Sequence, residues 1–130
     1  MADSPTGGDE LPTELASLDQ SALDRLQRFG GGKLLREMIA LFLAAAPERI
    51  AAARDGVENG DAPAAEMALH SLKSSSAQLG AMRMQRLCEQ GEQLARTGVL
   101  DIVSFLIHDL DEEFVQVRSW LTSVRDGETA

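Results

Sequence analysis

An all-α fold, an antiparallel up-down four-helix bundle with a short additional helix at its N-terminus, follows from three observations. Apolar residues recur at helical spacing along most of the chain; Val103, Ile107, Leu110, Phe114, Val117, Leu121 and Val124 alternate four- and three-residue steps, the seam of a bundle helix. Glycine-containing breaks at Gly30-Gly31-Gly32, Asn59-Gly60-Asp61, Gly80 and Gly98 cut that pattern into segments. No stretch keeps the period-2 alternation of a half-buried strand, tyrosine is absent, and alanine and leucine dominate.

The elements follow in order. Residues 1–14, rich in Ser, Pro, Gly, Asp and Glu, read as a disordered tail ahead of a single helical domain over 15–125. Leu18 to Leu26 forms a short amphipathic helix with Ser17 or Asp19 as N-cap, stopped by the three glycines. From Lys33 to about Val57 the positions Leu35, Met38, Ile39, Phe42, Leu43, Ala46 and Ile50 give a long inward face. Pro47 lies inside it, and its ring predicts a kink or a break there. Asp61 is the N-cap of the next helix, with Pro63 tolerated in its first turn and Gly80 at its end. Ala81 to Thr97 makes the next helix, with Met84, Leu87, Cys88, Leu94 and Ala95 inward. The last starts near Asp101, and 126–130 is a frayed tail.

A chain of 130 residues with 44% hydrophobic content can bury a core as one domain. Its formal net charge of −9 argues against nucleic-acid and anionic-membrane partners, which need a basic surface. One cysteine, Cys88, excludes an intramolecular disulfide and suits a reducing compartment. The N-terminus shows no secretory signal, and no apolar stretch approaches the roughly 20 residues of a membrane span. The expectation is a cytoplasmic monomer, since the closed bundle leaves no extra apolar face.

The helix after Asp61 carries the candidate site. On a wheel of about 100° per residue, Ala65, Leu69, Leu72, Ser76 and Leu79 share one stripe. His70 falls off it, with Lys73 and Ser74 one turn later and Ala77 nearly beneath. Only two of the 12 basic residues are lysines, Lys33 and Lys73, which makes a lysine beside the histidine notable. A neutral imidazole is a good nucleophile near neutral pH, Lys73 can meet phosphoryl oxygens, and Ser74 adds a small hydroxyl donor. Phosphoryl transfer asks mainly for positioning and charge stabilisation, so a His/Lys pair suffices if the partner brings the metal ion. The residues alone leave a plain surface histidine open as the alternative. His108, beside Asp109, has no comparable setting.

The segment Ala68-Leu69-His70-Ser71-Leu72-Lys73-Ser74-Ser75-Ser76, continued by Leu79-Gly80-Ala81, resembles the signature of histidine-containing phosphotransfer (Hpt) domains. Leu41 to Ile50, with Phe42 and Pro47, resembles the family's preceding helix. Asn59-Gly60-Asp61 and Leu87-Cys88-Glu89 with Glu92 extend the similarity over roughly 18–124. The resemblance implies a four-helix bundle that carries a phosphoryl group between receiver-domain aspartates in a two-component phosphorelay. By the match His70 is the phosphoacceptor, through Nε2, and Lys73 steadies the phosphoryl oxygens. Glu66, Ser74 and Ala77 belong to the ground on which the partner docks. The family usually places glycine where Ser74 stands, and a serine there adds little volume.

The partners so implied are response-regulator receiver domains and a sensor or hybrid histidine kinase. No cofactor is expected on this chain, magnesium belonging to the receiver, and the chain has no nucleotide-binding glycine motif of its own. It would be a carrier, not a kinase. Two rivals remain. One is a bundle that binds a regulator or kinase without being phosphorylated. The other, a metal site, has Glu66 and His70 four residues apart but lacks the paired Glu-x-x-His motifs of a di-iron bundle.

Overall fold

Asp19 opens the first helix: in extended conformation, its side chain accepts from the Ser21 N–H. The computed structural model describes residues 17–127, and the expected tail over 1–14 and residues 128–130 lie outside them. The described residues form four helices, α1 (Gln20–Glu58), α2 (Ala62–Gln78), α3 (Met82–Arg96) and α4 (Leu100–Arg125). Each packs on its sequence neighbours, and α4 closes back on α1. Connections this short make consecutive helices antiparallel, giving the up-down bundle.

The short N-terminal helix is present, but it runs directly into the long one. Gly31 alone departs from helical geometry, with φ 78° and ψ 179°, a conformation open to glycine and strained for other residues. The break therefore takes one residue, where the sequence suggested a three-glycine stop. Ala22 and Leu23 of this lead segment are buried, which ties it to the bundle.

Pro47 does not break α1. The helix continues through it with helical backbone angles on both sides. The ring lies on the exposed face, so the cost is the lost bond to the Leu43 carbonyl. Phe42, Ala46, Ile50 and Ala53, on the turns before and after it, are buried on the opposite face and pack both halves against the core.

The other boundaries agree with the sequence to within a residue. The Asp61 carboxylate accepts from the Ala64 N–H at 3.1 Å with Pro63 in the first turn, and Gly80 and Gly98 adopt positive φ just beyond α2 and α3. One feature was not legible: residues 17–19 lie across the α2–α3 turn. Asp19 N–H donates to Gly80 O at 2.8 Å and Met82 N–H to Ser17 O at 2.9 Å. Leu18 and Ala81 thereby form an isolated antiparallel bridge. A side chain at Gly80 would strike the Asp19 carbonyl, its Cβ falling 2.4 Å away.

The core runs the length of the bundle. Leu35, Ile39 and Phe42 meet Leu69 and Leu72, Met84 and Leu87, and the α4 seam from Val103 to Leu121. Phe42 and Phe114 face each other across it, tilted by 58° with centroids 6.2 Å apart. Helices α1 and α2 approach closely because Gly56 faces Ala65: a Cβ at Gly56 would lie 2.7 Å from the Ala65 nitrogen. That contact is with backbone, so relief requires the helices to part.

Gly56→Ala should therefore destabilise the fold by about 1–2 kcal/mol, overpacking outweighing the roughly 1 kcal/mol that alanine gains in helix propensity. Urea unfolding would show a lower midpoint at unchanged slope; a raised midpoint would mean that the α1–α2 contact is slack.

Candidate functional site

The stripe of α2 predicted to face inward does so: Ala65, Leu69, Leu72, Ser76 and Leu79 are all buried. His70 projects from the other side with 61% of its side chain exposed. On α3 the inward stripe is Cys88, Gly91, Glu92 and Ala95. Gly91 sits against Leu69, where a Cβ would come within 2.9 Å of Leu69 Cδ1, so the backbone of α3 lies close over α2 at the level of the histidine. The next residue, Glu92, is thus carried under the imidazole.

Glu92 is a carboxylate only 5% exposed, and three donors converge on it. His70 Nδ1 lies 2.8 Å from Oε2, Lys73 Nζ 2.8 Å from Oε1, and Arg96 Nη2 3.2 Å from Oε2. Arg96 also donates from Nε to Glu66 Oε2 at 2.8 Å. The result is a ladder between antiparallel helices, with Glu66, His70 and Lys73 on one side and Arg96 and Glu92 on the other. Burial alone pushes the Glu92 carboxyl up, but the hydrogen bonds and charges of Lys73 and His70 outweigh it and hold it below its usual value. The same pair raises the Lys73 ammonium above its ordinary range, chiefly through the hydrogen bond to Glu92.

An ionised carboxylate only accepts hydrogen bonds, so the proton between the two groups sits on Nδ1, and His70 donates. In the neutral ring Nε2 then keeps its lone pair on the exposed side of the imidazole. Cys88, beneath the ladder, is buried; burial, with the Glu92 charge adding, pushes its thiol up to about 12. It packs as an unreactive thiol.

The sequence candidates divide into two groups. His70, Lys73 and Glu66 are joined through Glu92 and Arg96. Ser74 and Ala77 lie on the α1 side, where with Gln78 they form one wall of an open groove of about 710 Å³. Arg25, Leu26 and Phe29 of the lead segment form the other wall, and Phe29 is 87% exposed. The Ser74 hydroxyl donates to the His70 carbonyl at 3.5 Å, so it is turned toward its own helix. His108 stands apart on α4, near Glu112 at 3.4 Å.

Neither Glu92 nor Arg96 stood out in the sequence as a site residue. A signal was present: a glutamate in the register of Cys88 and Ala95 falls on the apolar face, and a buried carboxylate must be paired. Glu66 and His70, four apart on α2, do not share a ligand geometry, since Glu66 turns to Arg96. Among the described residues no group of three or more His, Cys, Asp and Glu side chains is placed to hold a metal ion. No helix among them is long and apolar enough to cross a membrane.

Because Glu92 titrates lower in the folded chain than its ordinary value of 4.5, its pairing stabilises the fold fully above that pH. That stability should be lost as pH falls from about 4.5 through the lowered folded value. Glu92→Gln should be less stable than the parent at pH 7, by about 1 kcal/mol, and the difference should shrink in acid. Paired urea titrations at pH 7 and pH 3 test this; a difference that persists at pH 3 would mean that ionisation of Glu92 is irrelevant to the fold.

The fold and the ladder can be compared with known proteins. A family model described as the Hpt domain matches residues 37–120, a span that contains the whole of α2 and α3. Histidine-containing phosphotransfer protein B (HptB) from Pseudomonas aeruginosa PAO1 superposes with a TM-score of 0.82 at 28% identity, over 86% of this chain and 96% of that one. The HPT domain of a sensor hybrid histidine kinase from Shewanella superposes with a TM-score of 0.72, over 92% of this chain and 100% of that one; at 20% identity this likeness is one of fold. No curated protein matches the chain significantly. The match over most of the bundle decides the assignment: the chain belongs to the Hpt domain family, the histidine phosphotransfer proteins of phosphorelay signalling.

Proposed function

We propose that His70 is the phosphoacceptor of this chain and that it reacts through Nε2. The observation that carries the reading is the Nδ1–H···Oε2 bond to buried Glu92 at 2.8 Å. It orients the ring and, in the neutral imidazole, places the proton on Nδ1 and the lone pair on Nε2.

The transfer then balances as follows. The Nε2 lone pair attacks the phosphorus of an aspartyl phosphate, the N–P bond forms, and the bond from phosphorus to the aspartate oxygen breaks. The aspartate leaves as a carboxylate. The imidazole keeps its Nδ1 proton and gains positive charge, which Glu92 faces directly. Lys73 is ion-paired with Glu92, Nζ 2.8 Å from Oε1, and its ammonium keeps N–H groups for phosphoryl oxygens. Magnesium would be held by the receiver, and this chain would act as a carrier without kinase activity.

The partner is a receiver domain that lands over His70 on two unlike walls. Toward α3 it meets the charged ladder that ends in Glu66 and Arg96. Toward α1 it meets the small residues Ser74 and Ala77 and the groove of Leu26 and Phe29, rimmed by Arg25 and Arg28. Ser74, exposed and short, leaves the approach to the imidazole open. A monomer working in the cytoplasm fits this reading.

Phosphorus NMR of the chain with a small phosphoramidate donor is the direct test. The parent should give an acid-labile, base-stable phosphohistidine signal, and His70→Gln should give none while keeping its helical content. A signal of equal size in His70→Gln would place the acceptor elsewhere. No signal in the parent, even with phosphorylated receivers, would favour an adaptor that binds without accepting.

Lys73→Ala should slow transfer from a phosphorylated receiver by roughly tenfold without abolishing it, the scale of one charge-assisted contact to the moving group. Rapid-quench transfer assays would show this, and an unchanged rate would reduce Lys73 to a support for Glu92.

A further inference from the structure

The seam between α3 and α4 carries apolar ground that the His70 surface does not use. Gln90, Gln93, Leu94 and Thr97 of α3 and Ile102 and Leu106 of α4 line an open groove of about 450 Å³ there. Phe105, between the last two in the chain, is 72% exposed, and Ile102, one turn before it, is 48% exposed. A phenylalanine so far in water contributes little to the core. The groove lies on the other side of α3 from the ladder, because Glu92 faces α2 while its neighbour Gln93 faces α4.

Charge selects what fits there. No charged side chain lines the groove itself. Its flanks on α4 are acidic: Asp101 and Asp109 stand one turn before and one turn after Phe105 on the same stripe. On α3, Arg86 and Glu89, of opposite sign, share a smaller hollow with Gln90 and Gln93, and Arg96 is drawn to the other seam by Glu66. The chain's own first 16 residues carry Asp3, Asp9, Glu10 and Glu14 and no lysine or arginine, so they would bring like charge to that rim. A second copy, with its own net charge of −9, would do the same. A basic partner meets the rim with opposite charge. Gln90 and Thr97 lie two helical turns, about 10 Å, apart, the reach of one helix face with anchors at i, i+3 or i+4, and i+7.

We propose that the α3–α4 groove takes a basic amphipathic helix of a partner protein, its apolar stripe on Ile102, Phe105 and Leu106 and its lysines or arginines on Asp101 and Asp109. Gln90 and Gln93 offer side-chain amides to the polar edge of that helix. A partner held there stays attached while His70, on the other side of α3, remains open to a receiver. The docking does not depend on His70 being the acceptor.

The test titrates the isotope-labelled full chain by NMR with a synthetic helical peptide of about 15 residues, leucines at that spacing and lysines elsewhere. A second peptide carries glutamates in place of the lysines. The lysine peptide should shift the amides of Gln93, Leu94, Thr97, Ile102 and Leu106 saturably and leave those of His70, Lys73 and Ser74 in place. The glutamate peptide should bind roughly tenfold more weakly. Phe105→Ser, at an exposed position, should keep the parent's circular dichroism and weaken the lysine peptide by about tenfold. Asp101→Asn with Asp109→Asn should cut the preference between the two peptides about threefold. No saturable shift overturns the proposal. So does a lysine peptide that binds Phe105→Ser as tightly as the parent, which would be attraction to an acidic chain at large, or one whose shifts centre on Leu26 and Phe29. Groove amides that move on dilution of the free chain would make a second copy the occupant. Nuclear Overhauser contacts from residues 1–16 into the groove would make it the chain's own end, and either result overturns the proposal.

Discussion

Burying the Glu92 carboxylate between α2 and α3 is the constraint on which the rest of this surface depends. Isolated in that position, an ionised carboxylate would cost several kcal/mol in lost hydration. His70, Lys73 and Arg96 all turn toward it, and their donors supply what water would have supplied. The two helices are thereby locked in register beside the exposed His70. The histidine gains a fixed tautomer from the same contact that satisfies the acid.

The packing below makes that contact available. Gly91 brings α3 close over Leu69, and Gly56 brings α1 down on Ala65, so α2 is gripped by small residues on two sides. A helix so held offers a stiff base for an exposed imidazole. Mobility would cost orientation, and positioning is most of what a phosphoryl carrier contributes. The lead segment before Gly31 adds the second wall. It is pinned by Leu23 in the core and by the backbone bonds of residues 17–19 to the α2–α3 turn.

The two sides of His70 consequently have different chemistry. The α3 side is polar, with its charges matched among themselves, and the α1 side combines small residues, an exposed phenylalanine and arginines. A chain with a net charge of −9 thus keeps cations on both sides of His70, Lys73 and Arg96 toward α3 and Arg25 and Arg28 toward α1. Charge complementarity at that spot is local and does not follow from the net charge.

Much of the bundle was legible because helical periodicity and glycine stops are local signals. The α4 seam from Val103 to Leu121, the Asp61 cap and the outward His70 with Lys73 could each be read from spacing along one helix. The glycine stop fell where the sequence put it, at Gly31, whereas Pro47 does not break α1: propensity prices a backbone break, but packing on Phe42, Ala46 and Ile50 decides whether it happens. Glu92 and Arg96 were out of reach for a different reason. Their role lies in contacts to residues 70, 73 and 66 on another helix, and the one-dimensional pattern marks a glutamate on an apolar face without saying what pairs with it. The sequence by itself determined the helices, their order and the exposed histidine, since these depend on neighbours three and four residues apart. Only the tertiary structure decided which nitrogen of that histidine is free, because that depends on a carboxylate 22 residues away brought to 2.8 Å by helix packing.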